Sequence, residues 1–113
     1  MLEKDIERKL VSEVKKMGGR AYKWVSPGND GVPDRIVILP GMRPVFVELK
    51  TESGKLSALQ RVQIRRLLDM GQDVRVLKGI REVEQFLEDC DTGLKLRQFE
   101  KEVMPHDKRH TRL

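Results

Sequence analysis

Gly31-Val32-Pro33-Asp34, Arg35-Ile36-Val37-Ile38-Leu39, Pro40-Gly41 and Pro44-Val45-Phe46-Val47-Glu48-Leu49-Lys50 together form the stretch that decides the fold. The run from Arg35 to Leu39 is rich in β-branched residues and Pro40-Gly41 marks a turn. Pro44 to Lys50 is long enough to return beside it, so an antiparallel hairpin is expected. Side chains at i and i+2 of a strand share a face, so Glu48 and Lys50 project together. In such a hairpin the start of the first strand lies next to the end of the second, which brings Asp34 beside Glu48. Two carboxylates and an ammonium then share one small site. Adjacent carboxylates repel, and the remedies are a shared proton or a bound cation. Oxygen ligands with room for water suit magnesium or manganese. A lysine at the margin can orient or help deprotonate a water, or steady charge in a pentacovalent transition state. A Pro-Asp pair is also a common turn, and a Glu and a Lys on one strand face also form surface ion pairs worth under about 1 kcal/mol. The residues alone leave both readings open.

Around this hairpin the periodicity is helical on both sides. Ile6, Leu10, Val14 and Met17 recur at spacings of four, four and three, which lays an apolar stripe along a helix from about Leu2 to Met17, stopped by Gly18-Gly19. Ala21 to Val25 fits a short strand, and Ser26 to Pro33 is dense in turn formers. From Ser57, a suitable N-cap, to Met70 a second helix is expected, ended by Gly71, with Leu56, Leu59, Leu67 and Met70 on one face. Asp73 to Leu77 fits a further strand and Ile80 to Asp89 a closing helix. The expected order is αβββαβα, an α/β fold with a mixed central sheet flanked by helices.

The length of 113 residues allows one domain with one modest core. That domain is expected over residues 1–90, followed by a basic extension over 91–113 in which Thr92 to Met104 can add a helical turn or two and Pro105 to Leu113 is polar and expected to be flexible. Cys90, the lone cysteine, can form no intramolecular disulfide or thiolate zinc site, and the charged N-terminus has no apolar leader, so a cytoplasmic protein is expected. The net charge of +5 is unevenly spread: seven Lys/Arg against two Asp/Glu from Lys55 to Arg81, none against five from Glu82 to Asp91, and six against three from Thr92 onward. Such a basic surface suits a phosphate backbone as partner, though charge runs also serve solvation alone.

The Gly31-Val32-Pro33-Asp34 loop, Glu48-Leu49-Lys50 and Gln60, in this order of elements, resemble the VRR-NUC branch of the PD-(D/E)XK nuclease superfamily, in particular its small stand-alone phage and bacterial members. The resemblance runs from about Glu3 to Asp89. It implies a restriction-endonuclease-like fold and metal-dependent hydrolysis of DNA phosphodiesters, leaving a 5′-phosphate and a 3′-hydroxyl. It also implies that Asp34, Glu48 and the Leu49 carbonyl hold Mg2+ or Mn2+, that Lys50 is the catalytic lysine and that Gln60 is the family glutamine. An acid on the first helix is implied as a further metal ligand. Glu7 borders the core-facing stripe and is preferred to Glu3, because Glu7 to Leu10 resembles the first helix of archaeal Holliday junction resolvases.

Nucleic-acid contacts are expected at Lys23 and Ser26, which flank the loop before Asp34, at the Gly28 and Asn29 backbone, and at Arg61 and Arg65, four apart on the second helix. Trp24 fits either a base-stacking residue or a core residue. His106 and His110 have an i, i+4 spacing but no third ligand. One site per small chain implies a homodimer if two strands are cut together, and the related stand-alone domains make four-way (Holliday) junctions the leading substrate. The alternatives are a nuclease for flaps, nicks or ends, and a nucleic-acid-binding module without hydrolysis.

Overall fold

The computed structural model describes residues 1–103. His106, His110 and the tail from Pro105 to Leu113 lie outside the described residues. The elements are α1 (Glu3–Lys16), β1 (Arg20–Lys23), β2 (Arg35–Ile38), β3 (Val45–Lys50), α2 (Ala58–Asp69), β4 (Asp73–Lys78) and α3 (Gly79–Val103). The αβββαβα order and the α/β class are those expected from the sequence. One sheet holds the strands in the order β1-β2-β3-β4. β1 and β2, and β2 and β3, pair antiparallel, whereas β3 and β4 pair in parallel. Parallel neighbours need a crossover, and α2 supplies it.

The alternation of β3 assigns the two faces of the sheet. Val45, Val47 and Leu49 point into a core shared with Ile6, Leu10 and Val14 of α1, Val37 of β2, and Val83, Phe86 and Leu87 of α3. Phe46, Glu48 and Lys50 take the opposite face, where α2 lies, because Gln60 of α2 bonds Glu48. Leu10 is fully buried in the first layer. Leu10→Ala is expected to cost about 3 kcal/mol through lost burial plus the cavity left behind, readable as a shift in the urea midpoint at unchanged slope.

Three local expectations differ from the structure. The buried residues of α2 are Ile64 and Leu67, while Leu59 and Met70 are 55% and 65% exposed. Leu59, Val62, Leu68 and Met70 give α2 more apolar side chains than its narrow contact with β4 can cover. The closing helix does not stop at Asp89. It continues to Val103, because Cys90 and Leu94 pack on the core and the Arg97 guanidinium donates to the Pro40 carbonyl at 3.3 Å. β1 begins and ends earlier than expected, and Val25 is exposed beyond it. Trp24 is half-buried rather than enclosed in the core, with its ring centroid 5.2 Å from that of Phe46. No described helix is long and apolar enough to cross a membrane.

Candidate active site

The hairpin register sets the site. Arg35 lies opposite Val47, so the next step outward places Asp34 opposite Glu48. Asp34 is held by its neighbours on both sides. Its main-chain carbonyl accepts the Trp24 amide at 3.0 Å, and its carboxylate Oδ2 accepts the Leu49 amide at 2.9 Å. The Leu49 side chain is buried in the core, so Leu49 offers the site its backbone alone.

Glu48 is 1% exposed, the one charged residue buried to that degree among the described residues. Its Oε2 accepts the Gln60 side-chain amide at 3.0 Å and lies 3.6 Å from the Lys50 Nζ. Its Oε1 is buried and has no hydrogen-bond partner. Burial first, and the Asp34 charge second, push the Glu48 carboxyl up to about 7, against the opposing pull of Lys50. Burial also raises Asp34 above the ordinary aspartate range, despite the bond from Leu49. Lone buried polar atoms are rare because each forfeits its hydration without return. Here the unsatisfied atom is a carboxylate oxygen of a residue that stands opposite a second acid, Asp34, just ahead of the neighbouring strand.

Gln60 is oriented by the helix it begins. Ser57 caps α2: its Oγ accepts the Gln60 amide at 3.1 Å, and Gln60 Oε1 accepts the Ser57 amide at 2.9 Å. With its oxygen engaged in this capping box, the Gln60 side chain has only its amine to offer Glu48. The loop before Asp34 is pressed on the same turn. Gly31 has φ +92°, and a β-carbon there would lie 2.6 Å from the Leu59 carbonyl carbon and 2.8 Å from the Gln60 nitrogen.

The donors are all oxygen, with Glu48 Oε1 unpartnered, and they suit a hard divalent cation. Among the described residues no three His, Cys, Asp or Glu side chains form a ready ligand set. A cation would therefore rest on Asp34, Glu48, the Leu49 carbonyl and water, a combination magnesium tolerates well.

No family model matches the chain. A protein named "Putative nuclease p44" from Acyrthosiphon pisum secondary endosymbiont phage 1 is 51% identical over 75 residues, which is 66% of this chain and 81% of that protein. A solved structure described as a VRR_NUC domain superposes with a TM-score of 0.71 at 29% identity, over 76% of this chain and 94% of the other. The chain belongs to the VRR-NUC nuclease family. A second solved VRR_NUC domain protein, 18% identical over 78% of this chain and 86% of its own, shares the fold with a TM-score of 0.65. The fold is thus the PD-(D/E)XK-like one, and the chain is a nuclease.

Within this VRR-NUC fold, Asp34, Glu48, Lys50 and Gln60 come together. Glu7 stands aside. Its Oε2 is 2.8 Å from Arg35 Nε, and Arg35 Nη1 donates to the Ala21 carbonyl at 3.0 Å. The Glu7 charge still raises the Asp34 pKa, whereas that of the exposed Glu3 is felt at Glu48. Lys23 and Arg61 are exposed, Arg65 lies 3.5 Å from Asp69, and Gly28 sits at an open loop tip with φ +80°. Ser26 and Asn29 bond each other, Nδ2 to Oγ at 3.0 Å, and so shape the loop. Sequence reading overlooked Arg35 and the glycine contact at Gly31. The Ser57-x-x-Gln60 spacing was a legible signal for the box that orients Gln60.

Proposed function

We propose that the chain is a Mg2+- or Mn2+-dependent DNA endonuclease that works as a homodimer on four-way junctions. The observation that carries the hydrolytic reading is the buried, unpartnered Oε1 of Glu48 beside Asp34 and Lys50. Asp34, Glu48 and the Leu49 carbonyl hold the ion, with the first-helix acid Glu7 as a further ligand once freed from Arg35. When bound, the ion supplies positive charge that polarises the scissile phosphate and lowers the pKa of water. Gln60 keeps Glu48 turned inward. Lys50, half-buried on the same strand face, orients the attacking water and offsets charge on the phosphoryl oxygens. Lys23, Ser26, the Gly28–Asn29 backbone, Arg61 and Arg65 contact the phosphates on either side.

The dimer and the junction follow from one argument. A single small domain carries one site, so paired cuts need a second protomer. Two protomers related by a two-fold axis present their sites with the symmetry that a four-way junction itself possesses. The alternatives are flaps, nicks or ends as substrates.

The test is a panel of labelled four-way junction, flap and linear duplex DNA, with the sizing-column mass measured in parallel. Junctions cut at least tenfold faster than the others by a protein of twice the monomer mass support the reading. Equal rates on all three, or a monomer that makes paired cuts, would sink the junction and dimer parts separately. Lys50→Ala is expected to lower the rate on every substrate by about a hundredfold or more while leaving DNA affinity within a few fold, measured by single-turnover kinetics.

A further inference from the structure

The sheet face that carries Glu48 is only half covered. α2 packs against β4 and leaves the β1 and β2 side of that face open. The strand registers place Tyr22, Ile36 and Phe46 in one row across β1, β2 and β3, all on the face of Glu48 and Lys50. Trp24, whose amide bonds the Asp34 carbonyl, continues β1 into the next row and tilts onto Phe46 at 5.2 Å. Tyr22 is 58% exposed and Ile38, two residues beyond Ile36, is 38% exposed. The chain has only five aromatic residues, one Trp, one Tyr and three Phe, and the Trp, the Tyr and one Phe meet here. An aromatic patch therefore runs without a break into the two-carboxylate site.

We propose that the open sheet face carrying Tyr22, Trp24 and Phe46 stacks unpaired nucleobases of the strand whose phosphate enters the Asp34 and Glu48 site. This rests on the nuclease reading and adds a preference for locally unpaired DNA. Aromatic rings beside cations are the usual equipment for single-stranded nucleic acid, since every base presents a π-face. The cations are present: Arg20, on the Tyr22 face of β1, and Arg43 are exposed at the rim, and neither β1 nor the turn from Leu39 to Pro44 contains an acid. The same charges argue against a second copy of the chain as the occupant. A two-fold contact through this patch would bring like charges together around it, whereas a phosphodiester strand is attracted by them.

Trp24 is the only tryptophan, so its emission reports on this face. Wild type and Tyr22→Ala are titrated with oligothymidylate and with a blunt duplex of matched length, in chelator. Binding is followed independently by anisotropy of a labelled strand. Oligothymidylate is expected to quench Trp24 well beyond the duplex, and Tyr22→Ala to weaken binding of oligothymidylate about tenfold more than binding of duplex. Anisotropy that reports binding with Trp24 emission unchanged overturns the proposal, as does an equal loss for both DNAs or no binding of either. A Trp24 change that depends on protein concentration alone, accompanied by loss of dimer mass in Tyr22→Ala, assigns the face to a second copy and also overturns it. Cleavage on magnesium addition separates the two readings. Cleavage without a Trp24 response sinks stacking alone, and a Trp24 response without cleavage sinks hydrolysis while stacking stands.

Discussion

Glu48→Gln is expected to lower cleavage by about a thousandfold or more while making the metal-free protein more stable at neutral pH. The first effect follows from removing the charge at the centre of the site, where interactions with the reacting phosphate are made in a desolvated setting. The second follows from burial. Glu48 is 1% exposed with Oε1 unpartnered, so its ionised form is disfavoured in the folded chain. The raised pKa gives the sign. From the ordinary value of 4.5 up to about 7 the unfolded chain releases this proton and the folded chain retains it. Below that window the carboxyl is neutral in both states and this stability is fully present; as pH rises through about 7 it is lost. An amide keeps the bond accepted from Gln60 and carries no charge. The expected gain is about 1 to 2 kcal/mol at pH 8, in line with the relief of buried, imperfectly paired charge. Thermal unfolding of wild type and variant in chelator checks it. The curves should separate as pH rises from 5 to 8 and converge on the acid side. A variant that unfolds earlier than wild type at pH 8 contradicts burial as the origin of the Glu48 shift.

Gly31→Ala is the second large effect, and it acts without touching a carboxylate. Two costs coincide at this position. A φ of +92° is unfavourable for any L side chain, and the added carbon would overlap the Leu59 and Gln60 main chain, which cannot swing away as a side-chain tip would. Together they are expected to destabilise the fold by about 2 to 4 kcal/mol. The loop would lift from α2, moving Asp34 and Gln60 relative to Glu48, and a displacement of about 1 Å at reacting groups lowers rates on the order of a hundredfold. Gly28→Ala is the control. Gly28 also has positive φ, at +80°, but nothing lies within 4 Å of the added carbon, so only the backbone cost of about 1 kcal/mol applies. Urea unfolding and single-turnover cleavage of both variants measure the difference.

The parts of the site legible in the sequence are those governed by short-range rules. The alternation of Pro44 to Lys50 and the Pro40-Gly41 turn fixed which strand ends meet, and so which acids are neighbours. The α1 stripe of Ile6, Leu10 and Val14 is buried as its spacing demands. What could not be read depended on competition between surfaces. α2 offers apolar residues on more than one side, and only the position of β4 decides that Ile64 and Leu67 are covered while Leu59 and Met70 are not. The full length of α3 was legible only in part: a helical turn or two beyond Asp91 could be read, but Gly93 costs about 1 kcal/mol in a helix interior, and contacts of Cys90, Leu94 and Arg97 with distant residues override it. Arg35 reads as an ordinary strand residue until α1 brings Glu7 against it, 28 positions away in the chain.

The central claim is that the Asp34 and Glu48 pair is a cation-dependent centre for phosphodiester hydrolysis. Its most direct test is single-turnover cleavage of a labelled four-way junction by wild type and Glu48→Gln at equal DNA occupancy, in magnesium, in manganese and in chelator. Cleavage by wild type only when a divalent ion is present, leaving 5′-phosphate ends, with Glu48→Gln bound but inert, is the expected result. Cleavage that persists in chelator, or that survives in Glu48→Gln, would contradict the claim.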